Sequence, residues 1–202
     1  YYGRKVIEKT RRQGLKELLK AAGVKKLSGD AIGYQIGPRL NAAGRMETAE
    51  KALGLLMADS RPEAAKRASE LEELNKKRKT QQQAALDEIR ERGIGDDPVI
   101  VVQGDWHEGV LGIIAGRLVE EYRRPAFVLA EANGFLKGSG RSFGDFNLAA
   151  ALDVCREYLV GGGGHAEACG VTIERDNFER FREAVNLYYG RLKLANQERF
   201  LE

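Results

Sequence analysis

Residues 98–130 read PVIVVQGDWHEGVLGIIAGRLVEEYRRPAFVLA. The run Pro98–Val102 is apolar throughout and predicts a buried strand. Glu108–Tyr122 spaces its apolar residues as an amphipathic helix does, and Pro125–Ala130 turns uniformly apolar again as a second strand. Downstream, Gly134–Ser142 predicts a third strand interrupted by glycines, Leu148–Leu159 a helix, Ala168–Glu174 a strand and Asn177–Leu192 a closing helix. Strands alternating with helices over 97–192 predict an α/β domain, a mixed sheet flanked by helices.

Upstream of Gly93 the texture is helical. Residues 4–22 carry partial apolar faces, with Gly14 predicting a break and Gly23 a stop. Ser28 to Asp30 offer caps for a short helix at 31–36 that Gly37-Pro38 should end, and 47–57 reads as another helix. Ser60-Arg61-Pro62-Glu63 is a capping box with proline in the first turn. It opens a helix toward Arg92, on the order of 45 Å long. Apolar residues gather at the two ends of that helix, while Asn75 to Gln83 is polar all round. That is the pattern of a strut between two lobes.

Composition narrows the function. The chain has 202 residues, 43% hydrophobic and 31% charged, which suits a globular protein with a real core. No apolar run approaches the roughly 20 residues that span a bilayer, so no membrane partner is expected. Two cysteines without close spacing give no disulfide framework and suit a reducing, cytoplasmic setting. Cys155, His165 and Cys169 are too few and too poorly spaced for structural zinc. The chain opens at Tyr1 without Met and reads as part of something longer. The net charge of +3 conceals an asymmetry: residues 1–45 hold eleven basic and three acidic residues, a surplus of eight that leaves the rest at −5. A basic segment on a mildly acidic body suits an extended polyanion.

Two glycine-rich segments carry the chemistry. Gly161-Gly-Gly-Gly-His-Ala-Glu-Ala-Cys-Gly170 forfeits backbone entropy that no side chain repays. Such a run is tolerable in a loop that brings bare N–H groups against a phosphate, and His165 adds a donor. Lys137-Gly-Ser-Gly-Arg-Ser142, the second loop, offers the hydroxyls of Ser139 and Ser142 and the Arg141 guanidinium for a phosphate terminus. Neither segment matches a Walker or dinucleotide fingerprint. His107 stands just past the first strand at a helix N-terminus, where open α/β sheets bind ligands. Packing by Trp106 and capping by His107 is the equal alternative. Pro38-Arg39-Leu40-Asn41-Ala-Ala-Gly-Arg45 places two arginines around Asn41 and small residues, suited to gripping successive phosphates.

GPRLNAAGRM (37–46), ELEELNKKRK (70–79), WHEGVLGIIAGRLVEEYRRPAFVL (106–129), GSGRS (138–142) and GGGGHAEACG (161–170) stand in the order found in the RecJ family of single-strand-specific exonucleases. Over about 30–185 the chain resembles the C-terminal part of that family, within the DHH phosphoesterase superfamily. The resemblance implies a remnant of the DHH lobe at 1–58, a connecting helix and linker at 59–96, a DHH-associated domain at 97–192 and a tail at 193–202. It implies Mn2+ or Mg2+ in the intact enzyme, held by a DHH domain absent from these residues. Neither Asp-His-His nor a post-strand Asp-x-Asp occurs here, so no metal is expected in this chain, and alone it should be inactive.

Carried over by position, Ser139 and Arg141 would meet the terminal 5′ phosphate, and Gly163, Gly164 and His165 the reacting end. His165, touching the scissile phosphate, is the catalytic candidate, and Arg39 or Arg45 would hold the strand backbone. The implied partners are single-stranded DNA, the DHH domain and single-strand-binding protein, in repair and recombination. The alternatives are a DHH phosphodiesterase of oligonucleotides or cyclic dinucleotides, and a nucleic-acid-binding module without chemistry.

Overall fold

The computed structural model describes residues 2–192, and the tail expected at 193–202 lies outside the described residues. The chain forms two units that meet inside one helix, between Gln81 and Gln82.

The first unit is helical: α1 (Tyr2–Glu8), α2 (Gln13–Ala21), a π-helical stretch (Ala31–Ile36), α3 (Gly37–Met46), α4 (Glu50–Met57) and the first part of α5 (Arg61–Arg92). The break expected at Gly14 falls earlier, at 9–12, and Gly14 serves instead as a contact point. A Cβ there would lie 1.8 Å from the Leu55 carbonyl oxygen, so glycine lets α2 lie against α4. Gly37-Pro38 does not end the preceding helix. The 31–36 segment winds into a π-turn and continues directly into α3, with Pro38 in its first turn. Proline lacks an N–H and its ring crowds the carbonyl four residues back, and the wider π-turn accommodates both. Ser28 Oγ accepts from Ala31 N at 3.0 Å, and Ser60 Oγ from Glu63 N at 3.4 Å, as the caps predicted. Buried Glu17 accepts from Arg61 at 3.1 Å.

The second unit holds a five-stranded sheet of order β1-β2-β3-β5-β4. Its strands are β1 (Ile100–Gly104), β2 (Ala126–Ala132), β3 (Phe135–Arg141), β4 (Leu159–Gly164) and β5 (Ala168–Glu174). β1 and β2 are parallel, joined through α6 (Glu108–Tyr122), and every other pairing is antiparallel. Asn133 and Gly134, both with positive φ, make the two-residue turn between β2 and β3. α6 packs on β2 and β3. On the opposite face, α7 (Leu148–Val154) and α8 (Phe178–Arg191) close a core of Phe127, Leu129, Leu136, Val171, Ile173 and Phe181. Ala126 to Ala130 are all buried, which explains why β2 is apolar without alternation. Phe127 and Phe181 meet edge to face, centroids 5.2 Å apart.

The end of α5 is fastened to this unit. Ala85, Leu86 and Ile89 are buried. Arg90 forms a two-pronged bond to Glu121 of α6, at 2.6 and 3.1 Å, which holds the Glu121 carboxyl below its usual range. Glu88 accepts from the Trp106 indole N–H at 2.8 Å. The middle of α5 is polar all round as the sequence reads, but not all of it is bare: Asn75 is 1% exposed and Arg78 is half-buried.

Candidate nucleic-acid interface

The 134–142 segment is the glycine-interrupted strand its pattern predicts, with Gly138 to Arg141 in β3, whereas the 161–164 run, expected as a loop, forms most of the exposed edge strand β4. Alternation then sorts the residues by face. A Cβ on Gly138 would lie 2.6 Å from Leu129, and one on Gly140 2.6 Å from the Cys169 sulfur and 2.8 Å from the Phe127 ring. Those two glycines therefore serve the core, letting the sheet pack closely. Lys137, Ser139 and Arg141 point to the other face, where α6 lies.

There α6 is cut away to receive them. A Cβ on Gly112 would stand 2.8 Å from Arg141 Nη2 and 3.4 Å from Ser139 Oγ. The Arg141 guanidinium thus rests on a helix position without a side chain, and its Nη1 donates to Gly140 O at 2.7 Å. No carboxylate among the described residues forms an ion pair with it. Gly112 was not singled out from sequence, although Gly109, Gly112 and Gly116 fall on one helical face, a pattern that signals close approach.

Register extends this face outward. Ser139 pairs with Gly170, which pairs with Gly163, and Lys137 pairs with Thr172, which pairs with Gly161. Gly161, Gly163 and Gly170 are exposed. A Cβ on Gly161 or Gly163 would meet nothing within 4 Å, and one on Gly170 only Gly138 O at 3.9 Å. Beside Ser139 and Arg141 the sheet therefore presents bare main chain, two strand spacings or roughly 10 Å wide. His165 leaves the edge strand at the level of Arg141: its N–H donates to Ala168 O at 2.8 Å, and Ala168 pairs with Arg141. Its side chain is exposed. The fold thus brings Ser139, Arg141, Gly163, Gly164 and His165 to one end of one sheet.

Other candidates have structural engagements. Ser142 donates its hydroxyl to Phe146 O and closes the 143–146 loop. His107 caps α6, its Nδ1 accepting from Gly109 N at 3.1 Å. Trp106 is buried beside it, and Gly104 makes room for the indole, which a Cβ would meet at 2.4 Å. Arg39 donates to Glu72 at 2.5 Å and to Gln35 O at 2.6 Å, so a phosphate would compete with a carboxylate there. Asn41 and Arg45 are exposed on α3. These three belong to the first unit. Cys155 and Cys169 are buried, and burial pushes both thiols up to about 11, which makes them poor nucleophiles. Among the described residues no three His, Cys, Asp or Glu side chains gather as a metal site, and no helix is long and apolar enough to cross a membrane.

Residues 96–190 match the DHHA1 domain model. The chain is 38% identical over 188 residues to the single-stranded-DNA-specific exonuclease RecJ of Bacillus subtilis, covering 89% of this chain and 24% of the relative. Against the Escherichia coli RecJ it is 37% identical over 187 residues, covering 85% and 32%. Residues 96–190 are thus a DHHA1 domain, and over most of its length the chain is homologous to RecJ exonucleases. RecJ of Thermus thermophilus, solved in complex with Mn2+, superposes with a TM-score of 0.87 at 34% identity, over 94% of this chain and 29% of that one. The same protein has been solved with Mg2+. The chain spans a quarter to a third of the length of the RecJ relatives it matches.

Proposed function

We propose that this chain is the strand-holding part of a 5′→3′ single-stranded-DNA exonuclease of the RecJ type, working in cytoplasmic DNA repair and recombination. The observation that carries the reading is the Arg141 guanidinium, seated on Gly112 beside Ser139 at the rim of an open glycine face. A terminal phosphomonoester carries about −1.5 to −2 charges against −1 for an internal diester. A guanidinium fork with an adjacent hydroxyl therefore favours the end of a strand over its interior. The bare main chain of Gly161, Gly163 and Gly170 lets a sugar or base lie in van der Waals contact with the sheet, where any side chain would hold it off. His165, at the same end of the sheet, adds an imidazole donor toward the following phosphate.

In RecJ proteins solved with Mn2+ or Mg2+ the ions would activate water and stabilise the leaving oxygen. This chain's share would be to grip and orient the strand, with the cutting groups supplied by a DHH domain outside these residues. Single-strand-binding protein would deliver the strand. The test is binding of paired oligonucleotides that differ only in a 5′ phosphate. The chain should favour the phosphorylated one, and Arg141→Ala should remove that preference while leaving affinity for the 5′-hydroxyl strand within about twofold. Equal affinity for both strands in the unaltered chain refutes the reading.

A further inference from the structure

The end of the sheet that carries Arg141 holds a second arginine paired with an aromatic ring. Ala126, the first residue of β2, pairs with Arg141, and Arg123 stands three residues before Ala126, where α6 ends. Phe143 follows Arg141 by two residues, roughly 7 Å along an extended chain. Arg123 Cζ lies over the Phe143 ring, 5.2 Å from its centroid. The loop that carries the ring is tied down, since Ser142 donates its hydroxyl to Phe146 O and Phe146 N donates to Phe143 O at 3.5 Å.

Arg123 is not an ordinary surface arginine. Its backbone is left-handed, with φ 56° and ψ 35°. Helices that end this way usually place glycine or asparagine there, because a Cβ crowds the neighbouring carbonyl. The other non-glycine residue with positive φ among the described residues, Asn133, is of a type that tolerates it. A long charged side chain is therefore kept at this position against the preference of its own backbone. The adjacent Arg124 is engaged in holding the fold, donating to Gly95 O at 3.1 Å and to Asp97 O at 2.7 Å. Arg123 is exposed, and its side chain forms no hydrogen bond or ion pair among the described residues.

A ring on one side steadies a guanidinium, and the planar, weakly hydrated group can then take a nucleobase on its other side. Unpaired bases stack on aromatic rings and on arginine planes, and the contact tolerates any sequence because every base has a π face. A base already paired and stacked within a duplex offers no free face. We propose that Arg123, steadied by Phe143, is a stacking platform for a base within the first two nucleotides at the 5′ end of the bound strand. The inference deepens the strand-holding reading and rests on it, but it concerns the base and not the phosphate.

The test is fluorescence anisotropy with this chain and 5′-phosphorylated single-stranded oligodeoxyadenosines, intact or with one abasic nucleotide at the first, second or a central position. For the unaltered chain, an abasic nucleotide at the first or second position should weaken binding by about tenfold, and a central one far less. Arg123→Gly and Phe143→Leu should bind the intact strand about tenfold more weakly and no longer distinguish it from the terminally abasic one. Both should keep the preference for a 5′ phosphate over a 5′ hydroxyl. Arg123→Gly should also leave the melting temperature unchanged or raised, because glycine relieves the left-handed backbone. A merely structural role, Arg123 pinning the 143–146 loop, would lower it and leave the abasic comparison unmoved. Should Phe143→Leu unfold the chain, Arg123→Lys keeps the charge without the plane and should lose most of the abasic penalty. No penalty at either terminal position in the unaltered chain overturns the proposal, as does a penalty that persists undiminished in the Arg123 variants. Loss of the phosphate preference together with the penalty also overturns it, since the site as a whole would then have changed. An abasic penalty beside an Arg141→Ala variant that leaves the phosphate preference intact refutes the terminal-phosphate reading alone. No binding by the unaltered chain at low salt refutes both.

Discussion

Replacing Gly112 by alanine separates stability from recognition. A Cβ at that position would come within 2.8 Å of Arg141 Nη2, against the roughly 3.5 Å of a comfortable carbon contact. The obstructing atom is the far end of a flexible side chain, so the guanidinium can retreat by under about 1 Å at little strain. Meanwhile a glycine inside α6 becomes alanine, which is worth roughly 0.5–1 kcal/mol to a helix. Gly112→Ala should therefore be as stable as the unaltered chain, or up to about 1 kcal/mol more stable. Recognition moves the other way. A charge-assisted contact contributes about 1.5–3 kcal/mol, some ten- to hundredfold in affinity, and depends steeply on placement. We expect the ratio of affinities for 5′-phosphate over 5′-hydroxyl strands to fall by about three- to tenfold. Denaturant unfolding gives the stability and fluorescence anisotropy with paired labelled strands gives the ratio. An unchanged ratio in Gly112→Ala, when Arg141→Ala abolishes it, would show that the helix seat does not position the guanidinium. A destabilisation above about 1 kcal/mol would show that Arg141 cannot yield.

Two glycines on opposite faces of the sheet should behave in opposite ways. Gly140→Ala drives a methyl into Phe127 and the Cys169 sulfur and should destabilise by about 1–3 kcal/mol in urea unfolding. Gly163→Ala meets nothing within 4 Å and should leave stability within about 0.5 kcal/mol while weakening strand binding several-fold in the same anisotropy assay. The buried thiols predict a pH dependence: a folded pKa of about 11 lies above the unfolded value near 8.5, so the unfolded chain releases protons first as pH rises. Stability should be level below about pH 8.5 and fall by up to about 3 kcal/mol per thiol toward pH 11, and the Cys155→Ala, Cys169→Ala double variant should lose that part of the decline. Trp106→Phe removes the indole donor from Glu88 and should destabilise by about 1–2 kcal/mol without altering the preference for a 5′ phosphate.

The local pattern of this sequence settled most of the element types. Strand and helix periods between Pro98 and Ala130 specify β1, α6 and β2, because β2 is buried on both faces and α6 on one. Ser60-Arg61-Pro62-Glu63 starts α5 at its observed position, because a cap is a local hydrogen bond that needs no tertiary partner. Residue type alone also marked Ser139, Arg141 and His165 as chemistry-bearing. What sequence could not supply is facing and distance. Four consecutive glycines have no strand propensity, and they become a strand because β5 offers a ladder on one side and leaves them an open face on the other. Gly138 and Gly140 prove to be packing residues, while Gly161 and Gly163 stand bare, a distinction set by which neighbour lies across the pleat. Gly112 beneath Arg141 and Glu72 against Arg39 join positions roughly 30 residues apart. Only the packing of one element on another brings such groups within reach, and what each charge faces is decided there.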